Sequence, residues 1–598
     1  MLKTHNCGDL RISHAGQTVT LAGWVNRRRD HGGVTFLDLR DRSGLAQVVI
    51  NPEQTPALKQ VAGDVRNEWV LQIKGTVNKR PAGTENAKLP TGTIEVAAGE
   101  VTVLNQAKTP PFYINEDSPV DDSLRQEYRY LDLRRQRMQH NIILRHKLVQ
   151  HIRDFLNARD FLDVETPILF KSTPEGAREY LVPSRVYPGK FFALAQSPQQ
   201  LKQMLMVAGY ERYYQIARCF RDEDSRADRQ MEFTQLDLEM SFVEQEDILR
   251  LMEEIYTSVA KRVAPEFKLA ASPFPRLSYE ETMRRYGSDK PDLRYGLELS
   301  HIEDLVKQTE FAVFKGAVAA GGVIKAINAP GMAAYSRKQV DELTELAKSK
   351  GAKGLVSAQL TGTGDIGSLK AEDVRSPVAK YLPLEQVKAI ANRVGAKQGD
   401  MLLIVAGDAK STNAALDGIR RELAERLKLA DPKSLAYAFI IDIPLLEWSD
   451  TDKKFVSTHH PFTSPNLADV SLLDTAPGKV RALAYDLACN GYEVAGGSIR
   501  IHDRALQQKM FGILGLDADE IQAKFGYMLR AFEYGAPPHG GFASGIDRWV
   551  MILAGEKSIA DVIAYPKSKS ASDLLTGSPS PASEAQLKEL GIEIRKAT

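Results

Sequence analysis

Residues 218–240 read RCFRDEDSRADRQMEFTQLDLEM, four arginines and seven carboxylates between apolar ends. A charge run is ordinarily a solvated face. Here RYYQIARCF (212–220) and EFTQLDLEM (232–240) both alternate with period two, which predicts an antiparallel strand pair joined by a long charged loop. In that pairing Arg221 stands at the mouth of the loop, while Gln235, Asp237 and Glu239 share one face of the returning strand. Cations at a rim and carboxylates on a floor suit a zwitterion beside a polyphosphate, because guanidinium forks match phosphate and carboxylate, and carboxylates match an ammonium. Surface ion pairing accounts for the same residues equally well until other segments are read.

Two such segments follow. YGAPPHGGFASGIDRWVMILAG (534–555) places glycines before an apolar helix with Arg548 near its start, where backbone can approach a ligand and the helix start favours anions. In LAYDLACNGYEVAGGSIRI (483–501), Asn490-Gly491 is a two-residue hairpin signal. Pairing Cys489 with Tyr492 sets Ala488 opposite Glu493 and makes Asp486 and Glu493 diagonal neighbours on one face. Two adjacent carboxylates beside phosphates call for a hard cation, magnesium. Simple alternation puts Arg500 on the face opposite Glu493. A bulge at Gly496-Gly497 returns it to the site; without one, Arg500 is structural.

Outward from this centre, 598 residues exceed a single core and imply several domains. A net charge of +1, 43% hydrophobic and 26% charged residues exclude a disordered or strongly basic chain. Cys7, Cys219 and Cys489 lie far apart, which supports neither a disulfide framework nor a zinc site and fits a reducing, cytoplasmic compartment. No run reaches the length of a membrane helix. Residues 19–104 contain five strand-like runs separated by HGG, RSG and PAG turns, the pattern of a small OB-type barrel with Arg27, Arg28 and Arg29 clustered on it. Proline and acidic residues from Thr109 to Asp122 read as a linker. Leu144, Leu148, Ile152, Phe155 and Leu156 fall at helical spacing ahead of FLDVETPIL.

In this order, FLDVETPIL with Pro167, FRDED with RQMEFTQLDLE, and GIDR, interspersed with TPEGAREY, QSPQQLKQ and STHHPFTSP, resemble the three signatures of the class II aminoacyl-tRNA synthetases, and within them the bacterial-type aspartyl-tRNA synthetases. The resemblance covers nearly the whole chain; Asp160 and Ile546 depart from the commoner glycine and leucine. It implies an α+β multidomain fold: an N-terminal OB-fold β-barrel binding the anticodon (1–107), a hinge (108–135), a class II antiparallel sheet flanked by helices (136–288 and 421–560), an inserted α/β domain (289–420) and a C-terminal extension (561–598). It also implies a homodimer. The family reaction joins L-aspartate and ATP as aspartyl-adenylate, with magnesium, and then transfers the aspartyl group to the tRNA 3′ end.

By matching motif positions, the resemblance gives Arg221 and Arg548 as catalytic, with Asp222, Glu223, Gln230, Glu493, Gly545, Ile546 and Asp547 joining them around ATP and Asp486 with Glu493 on the metal. It gives Glu175, Ser197, Gln199, Lys202, Asp237, His459 and Arg500, beside Arg221, to the aspartate. Lys202 and Arg500 on the substrate's side-chain carboxylate would make the amino-acid choice strict, since an asparagine amide leaves those cations unsatisfied.

If Leu37 and Leu39 point into the barrel, Phe36 is exposed, either to stack on a base or to cover the barrel end. The resemblance favours stacking and adds Arg29, Gln47 and Glu95 as anticodon contacts. His31 and Gly83 resemble the group that aspartylates both tRNA-Asp and tRNA-Asn, with an amidotransferase acting downstream; Gly83 leaves out a side chain that would penalise the wrong base. A strictly tRNA-Asp-specific enzyme is the alternative within the family. A noncatalytic RNA-binding relative would have lost Arg221, Glu493 or Arg548, and an asparaginyl- or lysyl-tRNA synthetase lacks the pairing of Lys202 with Arg500.

Overall fold

The computed structural model describes residues 1–116, 118–172, 177–307 and 309–595. It divides into two compact units, Met1–Ile143 with Ala560–Pro581, and Leu144–Ile559 with Ala582–Thr598.

In the first unit, β1 (Thr18–His31), β2 (Val34–Asp41), β3 (Gly44–Ile50), β4 (Val70–Lys79) and β5 (Ile94–Asn105) close a barrel in the order β1-β2-β3-β5-β4. Alternation decides which side chains fill it: Leu37, Leu39, Val48, Ile73 and Val96 are fully buried, and their neighbours face outward. The stretch read as a linker carries two short helices, Asp122–Glu127 and Arg129–Asp132. The charges there are internal: Arg125 and Arg129 pair with Asp132, and Arg129 also donates to the carbonyls of Ala560 and Ile563.

The second unit is built on an eight-stranded sheet. In chain order, its elements begin with helix α1 (Gln136–Asn157), β6 (Leu162–Asp163), α2 (Gln199–Val207), β7 (Arg212–Phe220), β8 (Glu232–Ser241), α3 (Gln245–Arg262), β9 (Arg276–Ser278) and α4 (Tyr279–Arg285). An inserted five-stranded sheet follows, with β10 (Ser300–His301), β11 (Val323–Ala329), β12 (Val356–Leu360), β13 (Val374–Arg375) and β14 (Met401–Gly407) in the order β10-β11-β14-β12-β13. All its strand pairs are antiparallel. Helix α5 (Ala409–Arg426), capped by Asp408, packs its Leu416, Ile419 and Leu423 against β11 and β14 and leads back to the large sheet. There β15 (Tyr437–Ile441), β16 (Ala484–Cys489), β17 (Tyr492–Ile499) and β18 (His539–Gly545) complete the order β9-β15-β16-β17-β18-β8-β7-β6, and β18 runs into helix α6 (Ile546–Ala554). Pairing is antiparallel from β15 to β7 and parallel at both edges.

The hairpin β16–β17 pairs Cys489 with Tyr492 and Ala488 with Glu493, then Leu487 with Ala495. The bulge therefore lies at Val494, not at Gly496-Gly497. Those glycines serve close approach instead: a Cβ on Gly497 would fall 2.2 Å from the Gly541 carbonyl oxygen of β18, and one on Gly496 would fall 2.6 Å from Asp486 Oδ1. One extra residue between Glu493 and Ala495 shifts the alternation by one, so Arg500 returns to the face of Glu493.

Candidate active site

The central strands of the large sheet form the floor of a cavity of about 570 Å³. Ser197, Gln199, Arg221, Glu223, Gln230, Asp237, His459, Asp486, Glu493, Arg500, Gly545, Asp547 and Arg548 all line it. The strand pair β7–β8 is antiparallel as expected, and sets Gln215 opposite Asp237 and Tyr213 opposite Glu239.

At one end lies a dry charge network. Arg500, 1% exposed, donates through Nε to Glu239 Oε1 at 2.9 Å and through Nη2 to Oε2 at 3.1 Å. Its Nη1 donates to Ser498 Oγ at 2.6 Å and contacts His460 Nε2 at 2.8 Å. Burial opposes charge on Glu239, but Arg500 and Lys202 hold its carboxyl below the usual range. Lys202 lies outside the lining residues: it is fully buried beneath the floor, 3.1 Å from Asp237 Oδ1 and 3.5 Å from Glu239 Oε2. It supports Asp237, whose other oxygen, Oδ2, is buried without a hydrogen-bond partner.

At the other end are carboxylates and arginines. Burial, Glu493 and Asp289 push Asp486 well above the usual carboxylate range, and its Oδ1 is a second buried atom without a hydrogen-bond partner. Among the described residues no group of three or more His, Cys, Asp or Glu is arranged to hold a metal by itself. An all-oxygen pair with one unsatisfied buried oxygen fits magnesium, which keeps waters and shares its shell with phosphates. Arg548 is held by the Glu493 carbonyl at 2.8 Å and by Asp228 Oδ2 at 3.2 Å. Asp547 anchors this corner from α6, accepting from the Thr234 amide at 2.9 Å and from Arg145. Arg221 lies over the Phe233 ring, 5.1 Å from its centroid, and its Nε is buried without a partner.

Asp222 and Ile546 are outside the lining: Asp222 bridges to Arg178, and Ile546 is buried in α6. Glu175 falls outside the described residues. Sequence reasoning missed Tyr279, Asp289 and Glu447, which also line the cavity, Asp289 close enough to raise Asp486, and His460, which rather than His459 touches Arg500.

On the barrel, Arg29 pairs across strands with Phe36, and Phe36 with Val49. Phe36 is half-buried while Leu37 and Leu39 are fully buried, the alternation expected. Gln47 donates to Glu95 at 3.0 Å and Arg29 to Asp38 at 2.7 Å. Beneath these groups Arg80, 5% exposed, carries an Nη2 without a partner, a residue the sequence did not single out. His31 and Gly83 are exposed, His31 as the last residue of β1 paired with Val34 and Gly83 in a turn with φ of +85°.

Residues 121–569 match the family model described as tRNA synthetases class II (D, K and N), and residues 19–104 match the OB-fold nucleic acid binding domain. The chain is 56% identical over 596 residues to the aspartate–tRNA(Asp/Asn) ligase of Dehalococcoides mccartyi strain CBDB1, covering 100% of this chain and 99% of that protein. It is 54% identical to the protein of the same name from Heliobacterium modesticaldum, covering 99% and 96%. Among solved structures, asparaginyl-tRNA synthetase from Pyrococcus horikoshii complexed with asparaginyl-adenylate shares the fold with a TM-score of 0.59 at 19% identity, over 95% of this chain and 99% of that one.

Proposed function

The chain belongs to the class II aminoacyl-tRNA synthetases of the D, K and N group, and from that premise we propose that it is an aspartate–tRNA ligase that charges both tRNA-Asp and tRNA-Asn. The observation that carries this reading is a set of three buried atoms without hydrogen-bond partners around one cavity: Arg221 Nε, Asp237 Oδ2 and Asp486 Oδ1. A buried polar group left unmade is costly. An amino acid with ATP satisfies all three, with its ammonium on Asp237, phosphate on Arg221, and a phosphate-bound cation beside Asp486.

The substrate's α-carboxylate attacks the α-phosphorus, and pyrophosphate leaves. This chain's part is positioning and charge compensation. Arg221 neutralises the carboxylate and α-phosphate as they approach, and Arg548 exchanges Asp228 for the departing phosphates. Glu223 and Gln230 hold the adenosine. Asp486 and Glu493 are the ligands for magnesium, which when bound offsets phosphate charge. Arg500, buried and oriented by both oxygens of Glu239, offers its guanidinium to the side-chain carboxylate of aspartate; an asparagine amide forfeits the charge-assisted bonds there. Burial pushes the Asp237 carboxyl up, and Lys202 from below opposes that rise, favouring the charged form that suits an ammonium. In the second step the terminal ribose hydroxyl of the tRNA attacks the activated carbonyl.

The two tRNA choices rest on the names of the relatives and on His31 and Gly83. Exposed Gly83 puts no side chain where the third anticodon base would be tested. Exposed Leu162, Ile168, Leu169 and Phe191 near the first signature fit a homodimer. Among the described residues no helix is long and apolar enough to cross a membrane. The test is aminoacylation with labelled aspartate, ATP and magnesium on separate tRNA-Asp and tRNA-Asn transcripts. Charging of both is expected, with a downstream amidotransferase then required for the misacylated tRNA-Asn; charging of tRNA-Asp alone overturns the dual specificity.

A further inference from the structure

Helix α5, which packs on the inserted sheet, reaches the backbone behind the acidic end of the cavity through Arg421. Arg421, on the fourth turn of α5, is oriented by Asp417 four residues earlier, with Nε 3.0 Å from Oδ2 and 3.1 Å from Oδ1. Its Nη1 donates to the Gly491 carbonyl at 3.1 Å and its Nη2 to the Lys290 carbonyl at 3.4 Å. Gly491 is the turn of the hairpin whose strands carry Asp486 and Glu493, and Lys290 follows Asp289. The guanidinium thus ties together the two backbone segments that supply Asp289, Asp486 and Glu493, three of the carboxylates lining this end. The turn has been shaped for it: Gly491 has φ of +88°, and a Cβ there would fall 3.1 Å from Arg421 Nη1. Neighbouring Arg420, fully buried, fixes α5 itself by donating to the carbonyls of Asp292, Tyr295, Gly296 and Leu297.

We propose that Arg421 is a positioning residue for the reaction, through which the inserted sheet sets the spacing of Asp289, Asp486 and Glu493 and so the affinity for magnesium–ATP. This rests on the function proposed above. Groups that orient a metal's ligands from outside its first shell typically alter affinity by about 10- to 100-fold. Arg421 touches neither the amino-acid end nor Arg500, so its effect is confined to the nucleotide.

The test compares the full-length protein with Arg421→Ala, Arg421→Lys, the milder Asp417→Asn, and Arg393→Ala, which breaks an exposed pair with Asp304 elsewhere in the insertion. Equilibrium binding of ATP with magnesium, aspartate-dependent ATP–pyrophosphate exchange, and hydrogen–deuterium exchange over residues 484–499 are read for each. Arg421→Ala should raise the ATP Kd and the half-activating magnesium concentration about tenfold. The KM for aspartate should stay within about twofold, since no contact to that end is lost. Amide exchange in the hairpin should accelerate; Asp417→Asn should follow weakly, Arg421→Lys should recover part of the loss, and Arg393→Ala should match the parent. Unchanged hairpin exchange and ATP affinity in Arg421→Ala overturn the proposal, as does an equal rise in both substrate constants. A parent protein without pyrophosphate exchange would instead remove the functional reading, while the hairpin amides still decide whether Arg421 clamps the turn.

Discussion

At the scale of single residues, the charged groups of the site were legible where chemistry is local to a strand. Asp237 and Gln235 follow from alternation in EFTQLDLEM, and Glu493 from the Asn490-Gly491 turn. Lys202 was assigned to the substrate and sits instead under Asp237, because its reach depends on how α2 packs on β8, which no local pattern encodes. His460 was invisible for the same reason. Burial and the adjacent Arg500 keep its imidazole well below its ordinary value of 6.5, so it stays neutral beside the guanidinium. Once unfolded, the ring binds a proton below about pH 6.5, whereas the folded ring does not. Stability contributed here is therefore complete above that pH and falls as the solution is acidified toward the folded value. Buried His459 and His539 are shifted in the same direction, so the difference between variants isolates the effect. His460→Gln retains an acceptor without titrating. Its Tm should fall less than that of the parent between pH 7 and pH 5, and equal slopes in a thermal scan would refute the assignment.

At the scale of elements, the strands were recoverable from period-two patterns, including the five of the barrel and the pair β7–β8. The bulge in β17 was anticipated but misplaced. Glycine was taken as its signal, whereas the two glycines answer the neighbouring strand and a carboxylate, and the extra residue is an ordinary buried valine. A bulge requires a register, which is a property of two strands. Its consequence is testable by deleting Val494. With the bulge removed, Glu493 and Arg500 fall on opposite faces, and one of the two leaves the cavity. The deletion should reduce ATP–pyrophosphate exchange by about 10³-fold or more, because both substrate ends depend on this strand. Measured secondary structure by circular dichroism should remain, since only one residue of an eight-stranded sheet is lost. Retained activity would mean that Arg500 is aligned by Thr463, its bridge partner, rather than by the bulge.

At the scale of the whole molecule, chemistry and tRNA reading occupy different units. Every lining residue of the cavity belongs to the second unit, and Arg29, Phe36, Gln47 and Glu95 belong to the first. The sequence shows the barrel as a contiguous run, but the first unit extends past it to Ile143, inside the helix that precedes the first signature. The sequence also hid the return of Ala560–Pro581 to the first unit, where half-buried Arg125 and buried Arg129 find Asp561 and nearby carbonyls. The separation yields a sharp expectation for the half-reactions. Phe36→Ala removes a half-buried ring from a barrel face whose core lies on the other side of the strand, so folding should persist. Loss of one stacking platform weakens single-stranded nucleic acid binding by about 1–3 kcal/mol. That corresponds to a rise of about 5- to 150-fold in the KM for tRNA. Aspartate-dependent ATP–pyrophosphate exchange, which needs no tRNA, should keep its parental rate. If Phe36→Ala slowed that exchange, the barrel face would be acting on the catalytic unit and not only on the anticodon, and the assignment of reading to one unit and chemistry to the other would fail.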